Sequence, residues 1–288
     1  MDLLYYPGCT IKRNAMEYEK TTIAILKKIG INVVELDKWY CCGALYSLAV
    51  DDIAKHLGAV RTLISAENMS SKHNTNKLLT ICPMCFNVLR RVNKLLKENP
   101  DKLDTINQYL EEETYKLSIT VIHVVEVLKE YINELKRHIV RKPNDTPISV
   151  YYGCTIVRPK DIGIDNPEDP RIIEGILREL GFNVVDIPYK TLCCGAFHVL
   201  SNRDIVYRNS LKILESVNNS GAKILVTVCP LCLYNLRLTL ENVKTRADVK
   251  VIYLTELLAY TMGLDESLSQ ATLDVLNKFF QSTLDKNS

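Results

Sequence analysis

The sequence predicts an α/β protein of two pseudo-symmetric repeats, each a small, mainly parallel sheet flanked by helices, with cysteines at the carboxyl ends of its strands. Three observations predict it. The ten cysteines fall into two matching sets of five with none left over. Cys9, Cys41, Cys42, Cys82 and Cys85 read C-x31-CC-x39-C-x2-C, and Cys154, Cys193, Cys194, Cys229 and Cys232 read C-x38-CC-x34-C-x2-C. The flanking words repeat too: YYPGCTI (5–11) against YYGCTIV (151–157), CCGA at 41 and 193, and CPMC at 82 against CPLC at 229. Short β-favouring runs alternate with segments of helical period, the order that builds a parallel sheet with helices on its faces.

In the first repeat the runs 3–6, 33–36 and 78–81 are expected strands and 21–29 a helix. In the second repeat the expected strands are 148–152, 184–187 and 224–228. A helix over 172–180 places Ile172, Ile173, Ile176, Leu177 and Leu180 on one face. TVIHVVEVL (120–128) matches KVIYLTELL (250–258), so each repeat closes with a strand running into a helix. The basic, proline-containing stretch 137–147 marks the boundary, giving a first domain over 1–143 and a second over 144–288. A solenoid unit of roughly 20 to 50 residues is far shorter than this repeat.

With 47% hydrophobic and 24% charged residues the chain can bury a core, which argues against a disordered or collagen-like protein. A net charge of +2, from 36 basic and 34 acidic residues, provides no long-range field toward nucleic acid or an anionic membrane. No apolar run approaches the roughly 18 to 20 residues of a membrane span. The opening MDLLYYPGCT lacks the basic leader and cleavage site of a secreted protein. The expected compartment is the reducing cytoplasm, where cysteines serve as metal ligands or redox groups rather than disulfides.

Cys9, Cys82, Cys154 and Cys229 directly follow their strands and each CC pair lies five to seven residues after its own, so five sulfurs per repeat can gather at one end of a sheet. A structural zinc takes four ligands, and a cubane or two-iron cluster four thiolates. Five is one too many for either. Adjacent cysteines diverge, which suits a polynuclear centre better than a single ion. Gly43 and Gly195 would let the backbone pass close to inorganic sulfide. Pro83 and Pro230 suit the first turn of a helix, which places Cys82 and Cys229 at positive dipole ends. One CPxC word also occurs in thioredoxin-like dithiol enzymes. Two complete quintets favour iron–sulfur over zinc or plain dithiols.

This pattern, with glycine after each pair, resembles the cysteine-rich CCG domain. Two copies in one chain resemble the B subunit of heterodisulfide reductase over nearly the whole length, including GIDNPEDP (163–170). The resemblance implies two non-cubane four-iron four-sulfur clusters. One would be held by Cys9, Cys41, Cys42, Cys82 and Cys85, the other by Cys154, Cys193, Cys194, Cys229 and Cys232. It further implies the catalytic subunit of a disulfide reductase: a disulfide lies between the clusters, one sulfur passes to an iron of each, and electrons arriving singly release two thiols. Implied partners are a protein with cubane clusters, like the C subunit of that reductase, and a flavoprotein like its A subunit, in a setting tied to flavin-based electron bifurcation. This chain has no glycine-rich dinucleotide or phosphate-loop word, so no flavin or nucleotide is expected in it. CCGAFHVLSN (193–202) departs from the glycine-rich run of methanogen versions, so the disulfide is expected to differ from their mixed disulfide of coenzymes M and B. CCG proteins also serve in electron transfer within fumarate or succinate:quinone-type oxidoreductases, which is the alternative. A zinc-stabilised scaffold is a third reading.

Arg13 and Arg158 each stand four residues after the first cysteine of their set, with Lys12 and Lys160 nearby. They are candidate contacts for a carboxylate, sulfonate or phosphate on a substrate, against the plainer reading of solvated charge. His198, three residues past Gly195, is a candidate catalytic proton donor to a departing thiolate, with Tyr46 in the matching place. Trp39 is expected to pack beside the first sulfur set and exclude water. His123, whose counterpart is Tyr253, is not expected to be a ligand, and His56, His73 and His138 carry no signal.

Overall fold

The computed structural model describes residues 1–44 and 54–280; Tyr46 lies outside them. Strands β1 (Asp2–Tyr6), β2 (Asn32–Glu35), β3 (Lys77–Thr80) and β4 (Thr120–His123) form a parallel sheet in the order β2-β1-β3-β4. A second parallel sheet runs β5 (Ile148–Tyr151), β6 (Ile224–Thr227), β7 (Lys250–Tyr253). The inner strands are continuous apolar runs buried on both faces, as parallel sheets require. The covering helices of the first repeat are α1 (Cys9–Asn14), α2 (Met16–Lys28), α3 (Leu57–His73), α4 (Pro83–Glu98), α5 (Pro100–Leu110), α6 (Val124–Glu130) and α7 (Ile132–Arg137). Those of the second are α8 (Ile172–Glu179), α9 (Arg203–Asn219), α10 (Pro230–Asn242), α11 (Leu254–Thr261) and α12 (Gln270–Phe280).

One expected strand is missing. The run 184–187 makes only an isolated bridge from Val184 to Ile148. Side chains occupy its carbonyls: Arg178 donates to that of Val184 and Ser149 to that of Val185. The next rung of a ladder with β5 would have used the Val185 carbonyl, which Ser149 takes, whereas that of Val184 faces away from β5. Both repeats do close with a strand entering a helix, and both use the same cap. The carboxylates of Glu126 and Glu256 accept from the backbone N–H of His123 and Tyr253 at 2.9 and 2.7 Å.

The repeats interlock. Helix α2 of the first packs along α11 of the second, and α8 of the second along α6 of the first. Tyr18 on α2 stacks on Tyr253, with ring centroids 4.3 Å apart and planes 5° from parallel. Thr21 and Thr255 share a 2.7 Å hydrogen bond beside them. On α4, Asn87 donates to the carbonyls of Thr155 and Arg158 at 2.8 and 2.7 Å, tying the first repeat to the loop after Cys154. A single hydrophobic core therefore spans both sheets. Among the described residues no helix is long and apolar enough to cross a membrane.

The GIDNPEDP segment folds as a brace. Asp165 accepts from the backbone N–H groups of Arg171 and Ile172 at the start of α8. Behind it Lys190 is buried against Glu174 at 3.2 Å, Asp169 at 2.9 Å and Asp186 at 3.2 Å, and Tyr152 donates to Glu174.

Candidate metal centre

The turn after β1 and the turn after β5 are built alike. Gly8 and Gly153 have φ of +74° and +72°, conformations that favour glycine. A Cβ on Gly8 would stand 2.9 Å from Cys85 Sγ, and one on Gly153 2.9 Å from Cys232 Sγ. Each glycine thus leaves room for sulfur on two independent grounds. Cys82 and Cys229 cap α4 and α10, with Pro83 and Pro230 in the first turn, so both thiols sit where the helix dipole favours negative charge. Tyr6 donates to the carbonyl of Tyr40 at 2.9 Å, and Tyr151 to that of Leu192 at 2.6 Å. Those carbonyls immediately precede the two CC pairs. The matching tyrosines therefore fasten each pair over its strand ends, and Trp39 packs edge-on against Tyr6 at 5.7 Å.

The quintets converge. Cys9 and Cys41 Sγ are 3.9 Å apart, Cys42 and Cys85 3.7 Å, Cys194 and Cys232 3.6 Å. Cys82 and Cys85, Cys154 and Cys193, and Cys229 and Cys232 lie near enough to shift one another electrostatically. All ten cysteines are free of disulfides. Two thiolates on one tetrahedral metal, with bonds of about 2.3 Å, stand about 3.8 Å apart. The pairs Cys9–Cys41, Cys42–Cys85 and Cys194–Cys232 have that spacing. Among the described residues no three His, Cys, Asp or Glu side chains are arranged around a single-ion position. Cys42, Cys82 and Cys85 are buried, as are Cys194, Cys229 and Cys232, whereas Cys9 and Cys41 are exposed and Cys154 and Cys193 half-buried.

Crowding sets the electrostatics of these thiols. Hydrogen bonds from Cys41 and Cys85 hold Cys42 down to about 4, while the thiol of Cys85 is pushed up. In the second set Cys193 is lowered to about 6, first by Cys154, with the backbone N–H groups of Gly195 and Ala196 and nearby His198 adding to it. Cys194 is lowered chiefly by Cys232, and Asn235 donates to its sulfur at 3.4 Å. Lowered and raised thiols are neighbours because sulfurs this close resist ionising together. Metal ions in place of the thiol protons would satisfy every sulfur, so the donor set fits an iron–sulfur group.

Sequence-derived candidates land unequally around these sets. His198 is exposed at the end of a single 3-10 turn, Ala196–His198, within electrostatic reach of Cys193. Arg158 is engaged, donating to the carbonyl of Thr191 at 3.1 Å and to Glu168 at 3.3 Å. Arg13 is exposed and makes no hydrogen bond or ion pair among the described residues. Lys12 pairs with Glu35 and Glu19, and Lys160 is exposed. His123 is fully buried between the carbonyl of Ile81 and the N–H of Val125, and burial holds its pKa down to about 3, so it is a neutral structural group. Sequence reasoning missed Tyr6, Tyr151, Asn235, and the Tyr18–Tyr253 stack. The doubled tyrosine words could have pointed to Tyr6 and Tyr151; nothing local marks Tyr18. Both stacked tyrosines lie within electrostatic reach of Cys82, from one set, and of Cys229, from the other.

The cysteine-rich domain family, CCG, matches residues 3–90 and 148–237. The 8-methylmenaquinol:fumarate reductase membrane anchor subunit of Wolinella succinogenes is 29% identical over 270 residues, covering 91% of this chain and 93% of that protein. The B subunit of the ferredoxin/F(420)H(2)-dependent CoB-CoM heterodisulfide reductase of Methanosarcina acetivorans is 27% identical over 274 residues, covering 91% and 89%. A hypothetical protein from Helicobacter pylori shares the fold, with a TM-score of 0.70 at 12% identity over 91% of this chain. This chain spans about half of that structure, 49% of its length.

Proposed function

The protein belongs to the cysteine-rich domain (CCG) family, two copies in one chain, and from that premise we propose that it is the disulfide-cleaving subunit of a multi-subunit iron–sulfur reductase. Each domain, 1–143 and 144–288, would hold one non-cubane four-iron four-sulfur cluster through its five cysteines. Bound clusters would supply, one at a time, the two electrons that a disulfide takes up. The observation that carries this reading is the shared seam. Cys82 and Cys229 lie within electrostatic reach of the same buried tyrosine pair, while Cys9 and Cys41 reach solvent.

Around that seam the chain's own groups divide the work. His198, within electrostatic reach of Cys193, is the proton donor to a departing thiolate. Arg13, exposed and without a partner among the described residues, is an open contact for an anionic group of the substrate. Arg158 joins it only by exchanging Glu168, a partner whose side chain is itself 81% exposed. Electrons arrive from a cubane-cluster protein of the heterodisulfide reductase C type, fed by a flavoprotein of the A type, in the cytoplasm.

The Wolinella succinogenes relative favours a second reading, in which the chain passes electrons within a fumarate or succinate:quinone-type oxidoreductase and contacts the membrane through its partners. Anaerobic loading with iron and sulfide, followed by EPR during titration with thiols, separates the two. The first reading expects about eight irons per chain and a new paramagnetic signal when one thiol meets the oxidised protein. Reduction by quinol with no thiol-dependent signal would favour the second.

A further inference from the structure

The hydroxyl of Tyr18 is fully buried and has no hydrogen-bond partner among the described residues. Buried phenols ordinarily find one, because the O–H loses its water acceptors on folding. The rest of α2 at this seam is satisfied: Thr21 bonds to Thr255, and Thr22 to the carbonyl of Tyr18 at 2.7 Å. Stacking on Tyr253 explains the ring but not its oxygen, since a phenylalanine would fill the same space. Cys82, at the cap of α4, and Cys229, at the cap of α10, both lie within electrostatic reach of that oxygen, one from each quintet.

We infer that Tyr18 is an electrostatic tuning residue for both metal centres at once, its hydroxyl donating to a sulfur at the seam between the innermost cysteines of the two sets. The inference rests on the two-cluster reading. A donor aimed at a cluster sulfur favours the more negative, reduced form and so raises the reduction potential. Placed between two clusters, one dipole acts on both. The first repeat thereby supplies a group that adjusts the second, which neither cysteine motif reveals on its own.

Tyr18→Phe keeps the ring and removes only the oxygen. In the iron-loaded variant, redox titration followed by EPR and visible absorption should show both midpoint potentials shifted downward at wild-type iron content. In the metal-free chain the same variant should melt at or above the wild-type temperature, because an unpaired hydroxyl has been removed. Tyr115→Phe is the control. Its hydroxyl donates to Asn93 at 2.7 Å, so it should lower the metal-free melting temperature and leave both potentials unmoved. Unchanged potentials in loaded Tyr18→Phe, a shift in one cluster only, or a metal-free variant melting below wild type each overturn the inference. A wild-type chain that takes up no iron overturns the two-cluster reading and this inference with it, so the two failures are distinguishable.

Discussion

In the first repeat Cys9 and Cys41 are exposed and Arg13, four residues past Cys9, has no partner among the described residues; in the second Cys154 and Cys193 are half-buried and Arg158 is tied to Thr191 and Glu168. The sulfur pattern is shared, but the degree of constraint is not. The cause lies in the stretch of chain just after the first cysteine. The first repeat passes at once from α1 to α2, whereas the second inserts a loop that is anchored by Asp165, Asn87 and the buried Lys190 cluster before α8 begins. The second sulfur set is braced and the first is accessible. A duplicated ligand motif therefore leaves the neighbourhood of each copy free to diverge, because ligands need only meet the metal while the surrounding chain decides who else can reach it.

The largest expected effect tests whether the two sets are nonetheless equivalent as ligand cages. Gly8→Ala and Gly153→Ala each put a methyl group 2.9 Å from a sulfur at a positive φ. Each single variant should lose about half of its iron, one cluster of two, and the double variant nearly all of it. Iron and sulfide counts per chain check this; equal, full loading of both single variants would break the cage comparison.

Bracing itself is tested by two lysines. Lys190 has a side chain 6% exposed against Glu174 at 2%, so Lys190→Met leaves a buried carboxylate without its counter-charge and should cost about 3–5 kcal/mol. In the first repeat Lys77 pairs with Glu130 at 3.6 Å near the surface, and Lys77→Met should cost less than about 1 kcal/mol. Urea denaturation of the metal-free chains measures the difference, and equal losses would show that both repeats are held alike.

A smaller effect separates His123 from its counterpart Tyr253. Folding lowers the His123 pKa from 6.5 to about 3, so below the unfolded value the unfolded chain takes up a proton that the folded chain refuses. The contribution is whole above pH 6.5 and shrinks by about 1.4 kcal/mol per unit as pH falls toward 3. Between pH 6.5 and about 5, wild type should lose about 2 kcal/mol more than His123→Gln. Matching pH profiles for the two chains would contradict this account. Tyr253 contributes no such acid sensitivity, since burial only raises its pKa.

Much of the fold is legible in sequence: the strand–helix order, the closing strand and helix of each repeat, and the prolines that start α4 and α10. The run 184–187 reads as a strand because its β-favouring residues do not reveal that Ser149 takes the Val185 carbonyl. Equal spacing makes Arg13 and Arg158 look like a symmetric pair, yet Glu168 and Thr191 engage only the second. Tyr18 has no local mark at all, since its partner Tyr253 lies in the other repeat.

By itself, then, the chain's order of residues determined the two five-sulfur sets, the strand ends that carry them and the glycines and prolines beside them. These follow from backbone sterics and local periodicity, which act over a few residues. Tertiary structure alone decided which sulfurs meet, which arginine is engaged and which rings stack across the seam between the repeats. Those outcomes depend on contacts between segments far apart in sequence, and short-range preferences carry no information about them.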